Sequence, residues 1–410
     1  MHTCPLALMG SRKVGGMNIY VRNLARMLGK KQNVQVDIFT RSQDACQPMI
    51  SYGIGYGVRI IHIPAGPETV MPLGEVSLYI DEFTDGIDRF TKAESDGERA
   101  NYNLIHSHYW LSGLVALKLS ARWNNVPIVH MFHTLEKMKK LVALSDEGRE
   151  SQNRLNGEMR IVDGSDIIIA ATPAEKEQLV RYYNAASNKI RILPPGIDCD
   201  RFCPIPQENA RLRLGISITQ KIILLVGRIE PLKGIETLLE ATWLLKKNYG
   251  ETLPELTVMI IGGAPDADIL EGEMARLLEM SYALKIDNLV TFVGAKEQAL
   301  LPDYYAAADV VVMPSHYESF GMVALEAMAM GRAVIVSEVG GLAHLVSHGE
   351  TGFHMPPRDA ETLTSHLVEL LSDDQLRYKL GVQAQKYAQQ YSWQNISSYV
   401  QQIYSELDSK

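Results

Sequence analysis

Two carboxylates, Glu318 and Glu326, and two cations, Arg228 and Lys233, have the types and spacing that point most clearly to chemistry in this chain. The carboxylates belong to Pro314-Ser315-His316-Tyr317-Glu318-Ser319-Phe320-Gly321-Met322-Val323-Ala324-Leu325-Glu326. Glu318 lies in a loop before a predicted helix and Glu326 about two turns along it, ~80° apart around the axis, so both can face one elongated ligand. Carboxylates only accept hydrogen bonds, which suits paired sugar hydroxyls, and the N–H groups of Phe320, Gly321, Met322 and Val323 can meet hydroxyl or phosphate oxygens at the helix start. The bland alternative makes Glu318 a helix-start acid and Glu326 a surface residue. Against it, Glu326 sits in MVALEAMAMG, an apolar helix where a carboxylate needs a partner. The cations belong to Gly227–Gly234, GRIEPLKG, between an apolar run and a predicted helix. A planar guanidinium and an ammonium beside a helix N-terminus make a diphosphate site, with a solvated basic turn as the competing reading. The loop lacks the Walker spacing, and no G-x-G-x-x-G follows a strand, so nicotinamide chemistry is disfavoured. Gly53, Gly55 and Gly57 read as hairpin glycines.

These loops need strands to hold them. The β-like runs are Val34–Thr40, Val58–Ile63, Leu104–His106, Ile128–Phe132 and Ile167–Ala171, then Ile222–Val226, Leu256–Ile261, Val290–Val293, Asp309–Met313 and Ala333–Val336. Continuous Val/Ile/Leu rather than alternation indicates parallel strands covered on both faces. Helix-sized segments alternate with them, including Asn18–Gly29, Ile235–Asn248, Asp268–Leu284 and Glu361–Ser372. The pattern predicts an α/β fold with two doubly wound domains. Leu193–Gln207 holds four prolines and reads as a linker without helix or central strand. The expected divisions are 1–195, a linker at 196–207, 208–385, and a C-terminal helix in 386–410 that crosses back to the first domain. In such sheets ligands bind beyond the carboxyl ends of the strands, and two of them suggest a cleft.

The 410 residues exceed what one core organises, and 46% apolar with 21% charged residues is ordinary globular composition. Forty Lys+Arg against 48 Asp+Glu argue against nucleic-acid binding. No run of about 18 apolar residues is present, and Arg12 and Lys13 follow rather than precede the first apolar stretch, unlike a signal peptide. Four cysteines are too few for a disulfide framework, and Cys199 and Cys203 lack a second pair to complete a zinc site. The expected location is the cytoplasm. No sequence feature selects an oligomeric state.

Glu318, Glu326, Arg228 and Lys233 in this arrangement resemble the donor site of retaining GT-B glycosyltransferases. GGMNIYVRNLARML near the start and HSHYWLSG at His106–Gly113 resemble the branch containing the mycothiol-pathway glycosyltransferase and sucrose-phosphate synthase. The resemblance extends to SWQNISSYV near the end. It implies two Rossmann-like domains facing a cleft and a nucleotide-sugar donor, UDP-glucose or UDP-N-acetylglucosamine, with no other cofactor. By that resemblance Arg228 and Lys233 hold the diphosphate and Glu326 accepts from the ribose. Glu318 and the amides of Phe320 and Gly321 grip the sugar, Gly16 lets backbone approach the β-phosphate, and main chain at Val293–Gly294 reads the base. His133, ending the strand Ile128–Phe132, lies beside the reacting carbon. The catalytic set is then His133, Arg228, Lys233 and Glu318. No metal is expected, because the cations and the helix N-terminus offset the leaving charge; His106 and His108 are read as facing opposite sides of their strand, a poor metal pair.

The acceptor implied by the resemblance is a small sugar or cyclitol, phosphorylated in several relatives. Asn18, Tyr109, Thr134 and Arg154 match its site, Arg154 being either a phosphate fork or an exposed helix charge. In Ile63–Gly86, Leu73 stands where the relatives place lysine, which counts against a phosphate. Arg12, Lys13, Lys137, Lys139 and Lys140 are the cations able to compensate. Residues 1–31 hold six cations and no acid, so the helix near Asn18–Gly29 is either an ordinary packed helix, the favoured reading, or a membrane-docking one with a lipid-linked acceptor. An epimerase of the same fold and a silent nucleotide-sugar-binding module are the remaining alternatives. Relatives open with an apolar strand leading into the glycine loop, and this chain begins nearly in the loop, so that strand is expected to be missing.

Overall fold

Strands appear where the Val/Ile/Leu runs predict them, because such residues gain about 1.5–3 kcal/mol each when fully buried and a parallel sheet offers burial on both faces. A computed structural model describes residues 1, 3–6, 16–95, 102–138, 152–250, 255–263 and 272–408. The described chain divides into two units, one containing residues up to Pro194 together with Trp393 onward, the other Pro195–Ser392.

The first unit carries two sheets. One joins β1 (Val36–Arg41), β3 (Val58–Ile63) and β2 (Ile50–Ser51) in the order β1-β3-β2; the other is β4 (Ile105–His108), β5 (Ile128–Met131), β6 (Ile167–Ala170) and β7 (Ile190–Ile192), parallel and in sequence order. β2 pairs antiparallel with β3, so Gly53, Gly55 and Gly57 do lie in a hairpin. Three strands escaped the sequence reading: β2, β7 and, in the second unit, β13 (Phe353–Met355). Each is only two or three residues long, too short for a periodic signal. The described residues form no strand ahead of β1. Met1 belongs to the apolar cluster that includes Ile61, Ile63, Val115 and Phe132, and Cys4 to the cluster of Ala25, Ile54, Val58 and Ile60.

Helix Gly16–Gly29 buries Ile19, Leu24, Ala25 and Leu28 in this unit and leaves Arg22 and Arg26 half-buried. Helix Trp393–Asp408 belongs to the same unit: Trp393 meets Tyr20 edge-on, Tyr404 bonds His106 at 2.6 Å, and Arg191 pairs with Glu406. Among the described residues no helix is long and apolar enough to cross a membrane.

The second unit has one parallel sheet of β8 (Lys221–Val226), β9 (Leu256–Ile261), β10 (Val290–Phe292), β11 (Val310–Met313), β12 (Ala333–Ser337) and β13, ordered β10-β9-β8-β11-β12-β13. The chain winds outward from β8 in one direction, then returns and winds outward from β11 in the other, the doubly wound pattern. Ile223, Leu225, Val258, Val310, Val312 and Ile335 form its core with Leu238 and Leu367 from covering helices. The proline-rich linker ends in a helix one residue early, at Gln207. That helix is fastened by Arg211, buried and bonded to Asp309 Oδ2 at 2.8 Å, while Asp309 Oδ2 also accepts from the Ile222 amide at 2.7 Å. Asp309→Ala leaves the Arg211 guanidinium buried without its carboxylate. The expected loss is about 3–5 kcal/mol, read as a lowered urea midpoint, and a loss under ~1 kcal/mol would contradict a structural role for the pair.

Candidate active site

β8 is the first strand of its sheet and β11 the fourth, yet they are neighbours, with Val310 opposite Ile223 and Val311 opposite Leu224. Their following loops therefore meet at the carboxyl edge, at the topological switch point where such sheets bind ligands. Lys233, on the β8 loop, donates to Glu318, on the β11 loop, at 2.6 Å. Two further contacts clasp the loops: the His316 amide donates to the Leu232 carbonyl at 2.9 Å, and His316 Nε2 lies 2.8 Å from Glu236 Oε1 at the start of the following helix. Gly234 makes the approach possible. Its φ is +64°, and a Cβ there would sit 2.0 Å from the Pro314 carbonyl oxygen.

Glu318 is held from a third strand as well. Its carbonyl accepts from the Gly341 amide at 2.9 Å, and a Cβ on Gly340 would lie 2.1 Å from the same oxygen. Helix Met322–Ala329 begins at Gly321, whose φ is +107°, with no side-chain cap, so its first amides have no acceptor within the helix. Phe320 is buried, which leaves main chain rather than ring to serve a ligand. Along the same edge, the Gly227 amide bonds the Ile261 carbonyl, the Gly262 amide bonds the Gly294 carbonyl, and the Val293 amide bonds the Ile260 carbonyl. A Cβ on Gly262 would stand 1.8 Å from the Gly227 oxygen. Arg228 shares the β8 loop, is largely exposed, and pairs with Glu230 at 3.0 Å.

Glu326 is not the surface acid of the bland alternative. It is 4% exposed and accepts from the Tyr305 hydroxyl at 2.7 Å. Burial pushes its carboxyl up to about 7, against the opposing hydrogen bonds of Tyr305 and Gln298 and the charge of Arg201. Arg201 in turn bonds Gln298 at 2.9 Å. Tyr305, Gln298, His316, Glu236 and the Gly340–Gly341 pair were outside the sequence reading. His316 and Glu236 lie within or beside the two motifs and the glycine pair after β12 was a further available signal, whereas Tyr305 and Gln298 lie outside the motifs in sequence.

In the first unit the predicted residues form a separate group. His106 and His108 share a face of β4, their rings 4.3 Å apart, which corrects the opposite-face reading: residues two apart on a strand point the same way. His108 Nδ1 lies 3.0 Å from His133 Nε2, and Tyr20 packs edge-on against both rings. Desolvation first, then the charge of His106, lowers the His133 pKa, so this ring works as a neutral donor or acceptor. Tyr109 and His133 end the neighbouring strands β4 and β5, and both have positive φ, +71° and +62°. Two non-glycine residues in that region at adjacent strand ends mark a site held under strain.

Arg154 is buried rather than an exposed helix charge. It bonds Glu158 at 2.8 Å, the Tyr109 hydroxyl at 3.2 Å, and the Thr134 carbonyl and hydroxyl at 2.9 and 3.1 Å. Three predicted acceptor residues thus come together. Asn18 is buried and donates to Thr3 Oγ1 and the Cys4 carbonyl, fastening the N-terminal residues. Gly16 opens its helix. Lys137 donates to the Tyr182 carbonyl, and Arg12, Lys13, Lys139 and Lys140 lie outside the described residues. Among the described residues no group of three His, Cys, Asp or Glu is placed to hold a metal ion.

Residues 206–387 match the family described as Glycosyl transferases group 1, and residues 14–201 match Glycosyltransferase Family 4. The D-inositol 3-phosphate glycosyltransferase of Saccharomonospora viridis is 37% identical over 99% of this chain and 92% of its own length. Among solved structures, sucrose-phosphate synthase from Thermosynechococcus elongatus superposes with a TM-score of 0.88 at 32% identity, covering 100% of this chain and 97% of that one. Anabaena HepE in complex with UDP-glucose has the same fold, with a TM-score of 0.74 at 21% identity over 97% of this chain and 98% of that one.

The Glu326 carboxyl makes stability pH-dependent. A carboxyl whose pKa rises from 4.5 to about 7 on folding favours the folded state below pH 4.5 and loses that contribution as pH climbs through 7. Glu326→Gln keeps an acceptor for Tyr305 and removes the titration. Its Tm relative to the parent is expected to rise between about pH 5 and pH 8, and a gap independent of pH would refute the assignment.

Proposed function

The chain belongs to the group 1 glycosyltransferases, and from that premise we propose that it transfers a glucosyl-type sugar from a UDP-linked donor to a hydroxyl of a small sugar or cyclitol, with retention at the anomeric carbon. The observation that supports this most is the 2.6 Å contact between Lys233 and Glu318 at the switch point of the second unit. It sets a cation for phosphate beside an acceptor for sugar hydroxyls, as the two halves of a nucleotide sugar require. An ammonium has three N–H groups, so Lys233 can keep Glu318 and still donate to a diphosphate.

Arg228 joins Lys233 on the diphosphate, its exposed guanidinium exchanging Glu230 for phosphate. Glu326 accepts from the ribose diol; two hydroxyl donors favour its charged form, so donor binding is coupled to proton release. Main chain of Phe320 to Val323 meets the sugar and the phosphate, and main chain at Val293–Gly294 meets the uracil. Gly16 permits close approach of the β-phosphate, His133 stands as a neutral partner to the donor sugar, and Tyr109 and Thr134 face the acceptor. As the C1–O bond to the β-phosphate breaks, Arg228, Lys233 and the helix start stabilise the leaving charge, and C1 takes on oxocarbenium character. The acceptor oxygen bonds C1 on the same face and its proton passes to the departing phosphate. No glutamate is required as a covalent nucleophile. The reaction is assigned to the cytoplasm on the acidic composition and the four free thiols.

Lys233→Ala is expected to lower kcat about 10²–10³-fold with folding intact, read as UDP release from the donor. A change under threefold would remove Lys233 from the mechanism. Because protein cations offset the leaving charge, turnover is expected to survive chelation; activity lost with EDTA and restored by Mg²⁺ overturns that point. A product of inverted anomeric configuration overturns retention.

A further inference from the structure

Resting on the proposed transferase reading, we infer that the acceptor meeting the Tyr109–Thr134–Arg154 group is uncharged there, a polyol or sugar without a phosphate monoester. Arg154 is the group's cation, and a guanidinium has five N–H donors. Four of them make hydrogen bonds to atoms already present, and a buried carboxylate, Glu136, stands in ion-pair range of the same group. Nε reaches Glu158 at 2.8 Å, Nη2 reaches both Thr134 oxygens at 2.9 and 3.1 Å, and Nη1 reaches the Tyr109 hydroxyl at 3.2 Å with Glu136 Oε2 at 3.5 Å. The Arg154 side chain is 1% exposed, and those of Glu136 and Glu158 are wholly covered. Glu158 is itself fixed, accepting from the Glu136 amide at 3.1 Å and from the Tyr183 hydroxyl. A phosphate at Arg154 would have to displace a bonded acceptor or the paired Glu136 carboxylate, and enter a low-dielectric place beside two carboxylates, where like charges repel most strongly.

Neighbouring described groups do not reverse that balance. Lys137 donates to the Tyr182 carbonyl and lies over the Tyr183 ring. Arg41 is buried and directs its terminal nitrogens to the carbonyls of Ala65, Pro67 and Thr69. The segment that Arg41 holds, Ile63–Gly86, contains five acidic residues and no Lys or Arg, and its Leu73 packs against the same apolar cluster as Tyr109 and Leu135. Here Arg154 acts as a positioning residue. It orients the Tyr109 ring, 5.0 Å from its Cζ, and the Thr134 hydroxyl, so the surface offered to an acceptor consists of neutral hydroxyls suited to a polyol. The inference separates this chain from curated relatives whose name carries an inositol 3-phosphate acceptor.

The test uses the full-length enzyme with UDP-glucose and UDP-N-acetylglucosamine, and matched acceptor pairs: a cyclitol and its phosphate monoester, and a ketohexose and its phosphate monoester. UDP release is expected to show kcat/KM at least tenfold higher for the unphosphorylated member of the pair that reacts. Equal values, or turnover confined to the esters, overturn the inference while leaving the transferase reading intact. No UDP release from either donor with any acceptor overturns both. Glu136→Gln removes one carboxylate without changing shape, and is expected to shift the selectivity ratio at least threefold toward the ester through KM. A ratio unchanged in a folded Glu136→Gln variant overturns the stated cause.

Discussion

Lys233 and Glu318 are 85 residues apart in sequence and 2.6 Å apart in space, and the candidate donor site follows from how that contact is reached. The crossovers leaving adjacent strands β8 and β11 run to opposite sides of the sheet, so their loops can meet only at the carboxyl edge. The meeting requires Gly234 to carry no side chain, because the Pro314 oxygen occupies the place of its Cβ. The Leu232 carbonyl and the Glu236 carboxylate then receive His316, and the Gly340–Gly341 pair presses on Glu318 from the next strand. Rigid backbone on three loops thereby sets the distance between a phosphate-binding cation and a sugar-binding acceptor.

The two carboxylates of the motif are chemically alike and experience different surroundings. Glu318 faces the carboxyl edge and has an ammonium beside it. Glu326 is buried, where a tyrosine hydroxyl donates to it and burial raises its proton affinity. In the first unit the constraint is conformational. Tyr109 and His133 adopt positive φ, at a cost of roughly 1–3 kcal/mol each. The Tyr109 amide bonding the Met131 carbonyl, Arg154 on the Tyr109 hydroxyl, and Tyr20 and His108 around the His133 ring offset that cost. The C-terminal helix takes part through Trp393 on Tyr20 and Tyr404 on His106.

Where a residue's role depends on a local pattern, the sequence shows it. Buried parallel strands need uninterrupted Val/Ile/Leu, and ten of the thirteen strands among the described residues were legible for that reason. GRIEPLKG between a strand and a helix, and Glu318 before MVALEAMAMG, declare themselves because anion sites at helix starts and carboxylates in apolar helices are locally unusual. Strands β2, β7 and β13 were missed because two or three residues carry no period, and pairing with a long neighbour is what makes them strands.

Partnership between distant residues is what the sequence could not hold. Nothing near Glu326 names Tyr305 or Gln298, nothing near Glu318 names Gly341, and nothing near Arg154 names Glu136. Arg154 carries the sharpest instance. Its type and place on a helix fitted a phosphate fork or a solvated charge equally, and packing decided that it is a buried cation making four hydrogen bonds and paired with two buried carboxylates. Residue type and periodicity act over a few neighbouring positions, so they determined the strands, the helices and which loops could carry chemistry. Charge balance, proton affinity and donor saturation depend on every group within a few ångströms, and only the tertiary structure brings those groups together.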